Sequence, residues 1–187
     1  MADRGCERNT VPDVRHQMVA LLPRLQRFAR TLAGSGEEAD DLVQGTCERA
    51  LRGLDGWAPG TRLDSWMFRI MRNHWIDVAR KRRPERGAEP IDEAVAVIGE
   101  DGRRTTAVAQ ELAAVRVRIA ALPEELRTVL VLVCVEELSY REAAEVLDIP
   151  IGTVMSRLSR ARQSLLADAE AEEAAASRKW RRGGAVG

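Results

Sequence analysis

Residues 138–162 read LSYREAAEVLDIPIGTVMSRLSRAR, and this stretch decides the fold class. Ser139 and Glu142 have the spacing of a capping box. The serine hydroxyl accepts from an early helix amide while the glutamate reaches back to the serine's own amide. A short helix is expected over 140–147, then a four-residue turn, Asp148-Ile149-Pro150-Ile151, then a helix from about Gly152 to Leu166. Ala143, Ala144 and Leu147 face inward on the first helix, and Val154, Leu158 and Ala161 on the second. Thr153, Met155, Ser156, Arg157, Ser159, Arg160 and Gln163 are left for the outer side. These are the proportions of a helix-turn-helix. Arginines on its second helix can fork onto guanine O6 and N7 or onto phosphates, and serine and threonine can bond either. The plainer alternative is a helical hairpin with a solvated arginine face.

Working outward, a helix over 109–121 stops at Leu122-Pro123. A strongly apolar helix follows over 124–135, carrying Leu126, Val129, Leu130, Leu132 and Val133. Upstream, residues 84–109 hold two prolines, three glycines and mixed charge, the composition of a linker, with one short amphipathic turn expected at 91–98.

Before the linker lies a second helical module. Val14, Met18, Leu21, Leu22, Leu25, Phe28, Ala29 and Leu32 make one helical stripe, which Gly34 and Gly36 end. A helix from near Glu37 carries carboxylates in its first turn, where the helix dipole favours them, and buries Leu42, Val43, Thr46, Cys47, Ala50, Leu51 and Leu54. Gly and Pro mark a loop at 56–60. A third helix runs from about Leu63 to Arg82, with Pro84 marking its end. Its Arg69, Arg72, Arg80 and Lys81, with Arg82 and Arg83, are interleaved with Asn73, His74, Trp75 and Asp77. That mixture suits single-stranded nucleic acid, where phosphates are neutralised and bases stack. A solvated helix end with Trp66 and Trp75 in the core is the competing reading.

Composition sets the remaining limits. Hydrophobic residues make up 45%, charged residues 31% and aromatics 4%, so the cores are built from Leu, Val, Ile and Ala. Period-two alternation is almost absent, which excludes a sheet. The net charge is zero, yet basic residues cluster at 69–83, 157–162 and 178–182, and acidic ones at 37–41, 136–148 and 168–173. Phosphate binding needs a local basic surface only, and an acidic surface beside it implies two different partners. Three cysteines lack metal-ligand spacing and fit a reducing cytoplasm. Cys47 and Cys134 are expected buried, and Cys6 lies in a polar tail. No apolar run approaches the ~20 residues of a membrane span. Without a phosphate-binding glycine loop, paired carboxylates or a metal site, no catalysis, cofactor or metal is expected.

Taken together, these residues resemble a group 4, or extracytoplasmic function (ECF), sigma factor of bacterial RNA polymerase. The matching stretches are Ala39 to Gln44, Trp57 to Ile70 with Asn73, Leu122 to Arg127, Leu138 to Ala144 and Gly152 to Arg162. The resemblance implies an all-α fold of two small helical domains joined by a flexible linker. The division is a disordered tail (1–13), sigma domain 2 (14–83), the linker (84–108), sigma domain 4 with its helix-turn-helix (109–168) and a C-terminal tail (169–187). It implies that Asp40, Asp41, Leu42, Gln44 and Arg49 bind core RNA polymerase at the β′ clamp helices, with domain 4 at the β flap. Trp57, Thr61, Arg62, Arg69, Asn73, Asp77 and Arg80 would hold the opened −10 promoter element. Arg141, Thr153, Met155, Ser156, Arg157, Ser159 and Arg160 would read the −35 element as duplex. An anti-sigma factor, a cytoplasmic location and a part in stress response belong to the same expectation. Gly45 departs from the family's usual acidic residue and Met155 from its usual Lys or Arg. A stand-alone helix-turn-helix regulator is the rival; it explains 109–168 but gives 37–83 no task. A helical adaptor that binds only proteins is a second.

Overall fold

The computed structural model describes the backbone of residues 11–34, 36–86 and 107–183, and the side chains of 14–34, 36–81 and 111–170. All regular structure among them is helical. The expected turn at 91–98 and Cys6 lie outside the described residues.

Helix α1 (Val11–Ala33) is helical three residues earlier than the stripe predicts and continues through Pro23. Leu25, Phe28, Ala29 and Leu32 all lie below 5% exposure on its inner face. Gly34 ends it at φ +76°, where a side chain would be strained. Helix α2 (Gly36–Arg52) has Glu37 and Glu38 in its first turn and Arg49 and Arg52 in its last, an arrangement that complements the dipole at both ends. Its buried face is Ala39, Leu42, Val43, Thr46 and Ala50. The Thr46 hydroxyl donates to the Leu42 carbonyl at 2.7 Å, so no polar atom is orphaned there. Leu51 was expected inside and is exposed, because it falls on the far side of the helix from that face. Helix α3 (Leu63–Arg86) buries Leu63, Met67, Phe68 and Met71, and runs two residues past Pro84, where the helix was expected to stop. Phe28 and Phe68 meet edge to face at 5.1 Å, joining α1 to α3.

In the second module, α4 (Ala107–Ala121) leads to α5 (Glu124–Leu130). A single π turn, Val131–Val135, continues α5. Its extra residue shows in the Glu136 amide, which donates five residues back to Val131 at 2.9 Å. This turn rotates Cys134 outward; the thiol expected in the core is exposed. Cys47 is half-buried, and burial pushes its thiol pKa up. Helices α6 (Tyr140–Leu147) and α7 (Ile151–Gly183) complete the fold. The expected C-terminal tail is helical to Gly183, in keeping with the high helix propensity of the Ala/Glu run after Leu166. No helix among the described residues is long and apolar enough to cross a membrane.

The two modules pack on one another: α1 on α5, and α3 on α6. At the seam Glu136, 1% exposed, accepts from Arg24 at 2.7 Å and Arg27 at 3.0 Å, while Arg24 also donates to the Glu136 carbonyl at 2.6 Å. Arg24 reaches Asp64 at 2.7 Å, and Arg62 reaches both Asp64 at 2.6 Å and Glu142 at 3.2 Å. Burial alone would raise the Asp64 pKa, but hydrogen bonds from Arg62, Arg24 and the Ser65 amide outweigh it and hold it at about 2. A carboxylate pKa depressed below its unfolded value adds stability above that value, and the addition is lost as pH falls through the folded pKa. Between pH 4 and 2 the thermal midpoint of the native chain is therefore expected to fall more steeply than that of Asp64→Asn. Parallel acid melts by circular dichroism check this, and equal slopes would contradict it.

Candidate nucleic-acid interface

The capping box forms as the sequence requires. The Ser139 amide donates to Glu142 Oε2 at 2.7 Å, and the Glu142 amide donates to Ser139 Oγ at 3.2 Å. Burial would raise the Glu142 pKa; the Ser139 hydrogen bonds and the Arg62 charge outweigh it and lower it. Asp148 closes α6 in the left-handed region at φ 51°, and the Pro150 carbonyl accepts from Thr153 and Val154 to start α7. The inner faces are Ala143, Val146 and Leu147 against Val154, Leu158 and Ala161, all below 9% exposure. Val146 is the member the sequence reading missed, and Ala144 is only half-buried.

On the outer face, Arg141, Met155, Ser156, Ser159 and Arg160 are exposed, with Met155 at 53%. Thr153 and Arg157 are half-buried. Thr153 lends its carbonyl to the Ser156 hydroxyl at 3.1 Å, and Arg157 pairs with Glu125 at 2.6 Å. An open groove of about 540 Å³ beside the turn is lined by Arg141, Glu145, Asp148 and Ile151 among others.

In the first module, Asp40, Asp41 and Gln44 share the exposed side of α2, Arg49 is exposed at the edge that faces α3, and Leu42 sits in the core at 3% exposure. Gln44 and Arg52 both bond Glu48. Trp57 is buried at 7%, and its indole Nε1 has no hydrogen-bond partner. Thr61 closes the loop by donating its hydroxyl to the Ala58 carbonyl at 2.7 Å. Arg62 is exposed but ion-paired as described. On α3, Arg69, Asn73, Asp77 and Arg80 are all exposed and recur at helical spacing on one side. Asn73, Asp77 and Arg49 converge with Trp66, Ile70, Gly53 and His74 around a cavity of about 340 Å³ between α2 and α3. Trp57, Thr61 and Arg62 do not line it.

Sequence reasoning missed what His74 does. A Cβ built on Gly45 would lie 2.4 Å from His74 Nε2 and 2.9 Å from its Cδ2. The glycine that departs from the family pattern is the space into which this imidazole fits. Burial, then the charge of Arg49, lowers the His74 pKa, so the ring is held towards its neutral form. Gly→Ala inside a helix ordinarily gains about 1 kcal/mol. Overpacking costs about 1–3 kcal/mol. Gly45→Ala is therefore expected to be neutral to destabilising alone and stabilising in a His74→Ala background. Urea melts of the four chains check the sign change; the same sign in both backgrounds would count against the contact.

Models of two families match this chain: sigma-70 region 2 over residues 18–85 and sigma-70 region 4 over residues 112–165. The chain is 38% identical over 154 residues to the ECF RNA polymerase sigma factor EcfG of Rhodopseudomonas palustris, covering 82% of this chain and 83% of that one. It is 32% identical to the ECF sigma factor SigW of Bacillus subtilis, covering 76% and 81%. Among solved structures, it superposes on the sigma factor RpoE of Bartonella quintana, in complex with the anti-sigma factor NepR. The TM-score is 0.69 and the identity 30%, over 83% of this chain and 95% of that one. CnrH, in complex with the cytosolic domain of CnrY, gives a TM-score of 0.59 at 26% identity over 87% and 91%. With region 2 and region 4 in one chain, and a relative 38% identical over 83% of its own length, the protein belongs to the ECF sigma factors of the sigma-70 family, non-catalytic subunits of bacterial RNA polymerase.

Proposed function

We propose that this chain works in the cytoplasm, carrying core RNA polymerase to its promoters and opening them at the −10 element. The working units of this reading are sigma domain 2 at 14–83 and sigma domain 4 at 109–168. The exposed side of α2, through Asp40, Asp41 and Gln44, with Arg49 at its α3-facing edge, docks on the clamp helices; buried Leu42 sets that helix's seat on α1 and α3. Asn73 and Asp77 at the α2–α3 cavity, with Arg69 and Arg80 on the same exposed side, take the −10 strand. Trp57, Thr61 and Arg62 belong to the loop that enters it. Domain 4 docks near the β flap and reads the −35 duplex with Arg141, Thr153, Met155, Ser156, Arg157, Ser159 and Arg160. Exposed Met155 offers an apolar contact, suited to a thymine methyl.

The observation that carries this reading is the pairing of an exposed, arginine-bearing second helix in a capped helix-turn-helix with an upstream helix that presents carboxylates and amides. Extruding a base costs a few kcal/mol, and without catalysis that must come from binding. The free chain is then expected to bind promoters weakly and to bind tightly only with core enzyme. Arg157→Ala and Arg160→Ala are each expected to weaken promoter engagement by about 1–3 kcal/mol, if each makes a bidentate base contact. Run-off transcription with core polymerase on a genomic promoter pool, products sequenced, tests both points. Unchanged output from both variants, or nanomolar sequence-specific binding by the free chain, would defeat the assignment. An anti-sigma factor is the expected regulator, as in the complex of RpoE with NepR from Bartonella quintana. Its recovery by pull-down from the native cell is the test, and recovery of polymerase alone would speak against it.

A further inference from the structure

The last helix carries two charge clusters that neither promoter element uses. Helix α7 runs unbroken to Gly183, whereas the region 4 match ends at residue 165. At 1.5 Å per residue, the stretch from Leu166 onward lengthens it by about 27 Å. Asp168, Glu170, Glu172 and Glu173 come first, then the spacer Ala174-Ala175-Ala176-Ser177, then Arg178, Lys179, Arg181 and Arg182 around Trp180. The spacer keeps the two signs apart. No Asp or Glu of this stretch lies three or four positions from an Arg or Lys, the spacing at which opposite charges support a helix. Like charges do fall there: Asp168 with Glu172, Glu170 with Glu173, Arg178 with Arg182. The helix dipole favours cations near the C-terminal end but offers nothing to four carboxylates in mid-helix. The pattern needs its opposite charges from outside the helix.

A second copy of the same helix supplies them in one orientation only. Parallel pairing lays like charges side by side. Antiparallel pairing about Ala174–Ala175 sets Asp168 opposite Arg181 and Glu170 opposite Lys179, and two-fold symmetry repeats both pairs. The apolar positions agree with this register. Leu166, Ala169, Ala176 and Trp180 keep coiled-coil spacing, with Glu173 the polar member between them. Ala169 then stands opposite Trp180, small against large, and Glu173 opposite Ala176. Leu166, which opens this row, is 64% exposed, and Asp168 and Glu170 are exposed beside it.

We propose that residues 166–183 of α7 pair antiparallel with the same segment of a second copy of this chain. About five turns of helix bury less than the ~1,200–2,000 Å² of a stable complex, and a polar residue in the row costs stability. The pairing is therefore reversible and sensitive to salt. In this register the two copies of Arg157 lie about 50 Å apart along the helix axes, so the faces assigned to the −35 element stay clear of one another. That consequence rests on the sigma reading; the pairing itself does not.

Sedimentation velocity of the full chain tests it. At low salt the sedimentation coefficient is expected to rise with concentration towards that of a dimer. At about 0.5 M salt, where the screening length is roughly 4 Å, it is expected to return to the monomer's. One variant reverses the acidic cluster, Asp168→Lys/Glu170→Lys/Glu172→Lys/Glu173→Lys. Another reverses the basic one, Arg178→Glu/Lys179→Glu/Arg181→Glu/Arg182→Glu. Each loses four ion pairs per dimer and is expected to self-associate at least about tenfold more weakly. Mixed in equal amounts, the two reversed chains are expected to pair with each other at least as well as the native chain pairs with itself. Circular dichroism follows the helix throughout, and the mixture decides, because a reversal that merely melted α7 would not be rescued by its opposite. A native chain that stays monomeric at low salt, or reversed chains that fail to pair when mixed, would overturn the proposal. A native monomer whose retention on duplex DNA falls only when the basic cluster is reversed would assign that cluster to phosphates instead, and would overturn it too.

Discussion

Phe68→Ala is expected to lower the unfolding free energy by about 3–5 kcal/mol, the usual cost of removing a buried phenylalanine. The ring is fully buried and meets Phe28, itself fully buried, at 5.1 Å with the planes 71° apart. Loss of the ring therefore removes its transfer energy, opens a cavity against Phe28 and forfeits an aromatic contact worth about 0.5–1.5 kcal/mol. Arg24 lies over the same ring at 5.5 Å, so the substitution also removes a face on which that guanidinium rests. At 2–4 °C per kcal/mol for a chain of this size, the thermal midpoint should drop by roughly 6–20 °C. The consequence reaches function through geometry. Phe68 is the fixed point from which α3 presents Asn73 and Asp77, five and nine residues on. Promoter opening by Phe68→Ala should then fail at temperatures where its domain 4 still folds. Phe68→Leu keeps much of the volume and should cost distinctly less. A midpoint within 2 °C of the native chain for Phe68→Ala would show that the contact carries little.

How much of this was legible depends on the range of the interaction. The capping box, the Gly34 stop and the inner face of the helix-turn-helix are set by residues within a few positions of each other, so the sequence states them directly. The family resemblance added which surfaces meet polymerase and promoter. Three things stayed hidden, for physical reasons. A π turn has no residue signature, so the apolar helical stretch around Cys134 implies a buried thiol and gives no reason for Glu136 to be buried. The Gly45–His74 fit lies 29 positions apart, and a glycine in a helix reads only as a weak spot until its neighbour is known. The seam pairs Arg24 with Glu136 across 112 positions; a charged residue on a helix edge normally signals solvent. The clue available was the concentration of acidic residues at 136–148 opposite basic helices. By itself it implies a surface for a second partner, but in this structure two of its members, Glu136 and Glu142, meet the chain's own arginines.

Arg127→Ala is expected to cost about 3–5 kcal/mol. A hydrogen bond contributes about 1–1.5 kcal/mol net where water can partly replace it, as it can at this half-buried guanidinium, which makes three. It donates to the carbonyls of Ala120 and Leu122 at 2.8 and 3.1 Å, and to that of Thr31 at 3.0 Å. These oxygens lie at the C-terminal ends of α4 and α1, where the last carbonyls have no partner within the helix and the dipole favours a cation. One side chain thus caps two helices, one from each module. Burial lowers the Arg127 pKa, but the carbonyls offer only acceptors, so the charged form is the one that fits. Arg127→Lys should recover less than half of the loss, since an ammonium cannot reach two helix ends with a planar fork. The Thr31 bond crosses the seam and the other two do not. If the seam opens in Arg24→Ala/Arg27→Ala, the Thr31 carbonyl becomes free to meet water, and Arg127→Ala should then cost about a third less in that background, roughly 1–2 kcal/mol. Urea melts of the native chain, the two parents and the triple variant measure this directly. A cost that is the same in both backgrounds would mean that Thr31 contributes nothing across the seam, whereas a cost under 1 kcal/mol in the native chain would mean that water satisfies these helix ends as well as the arginine does.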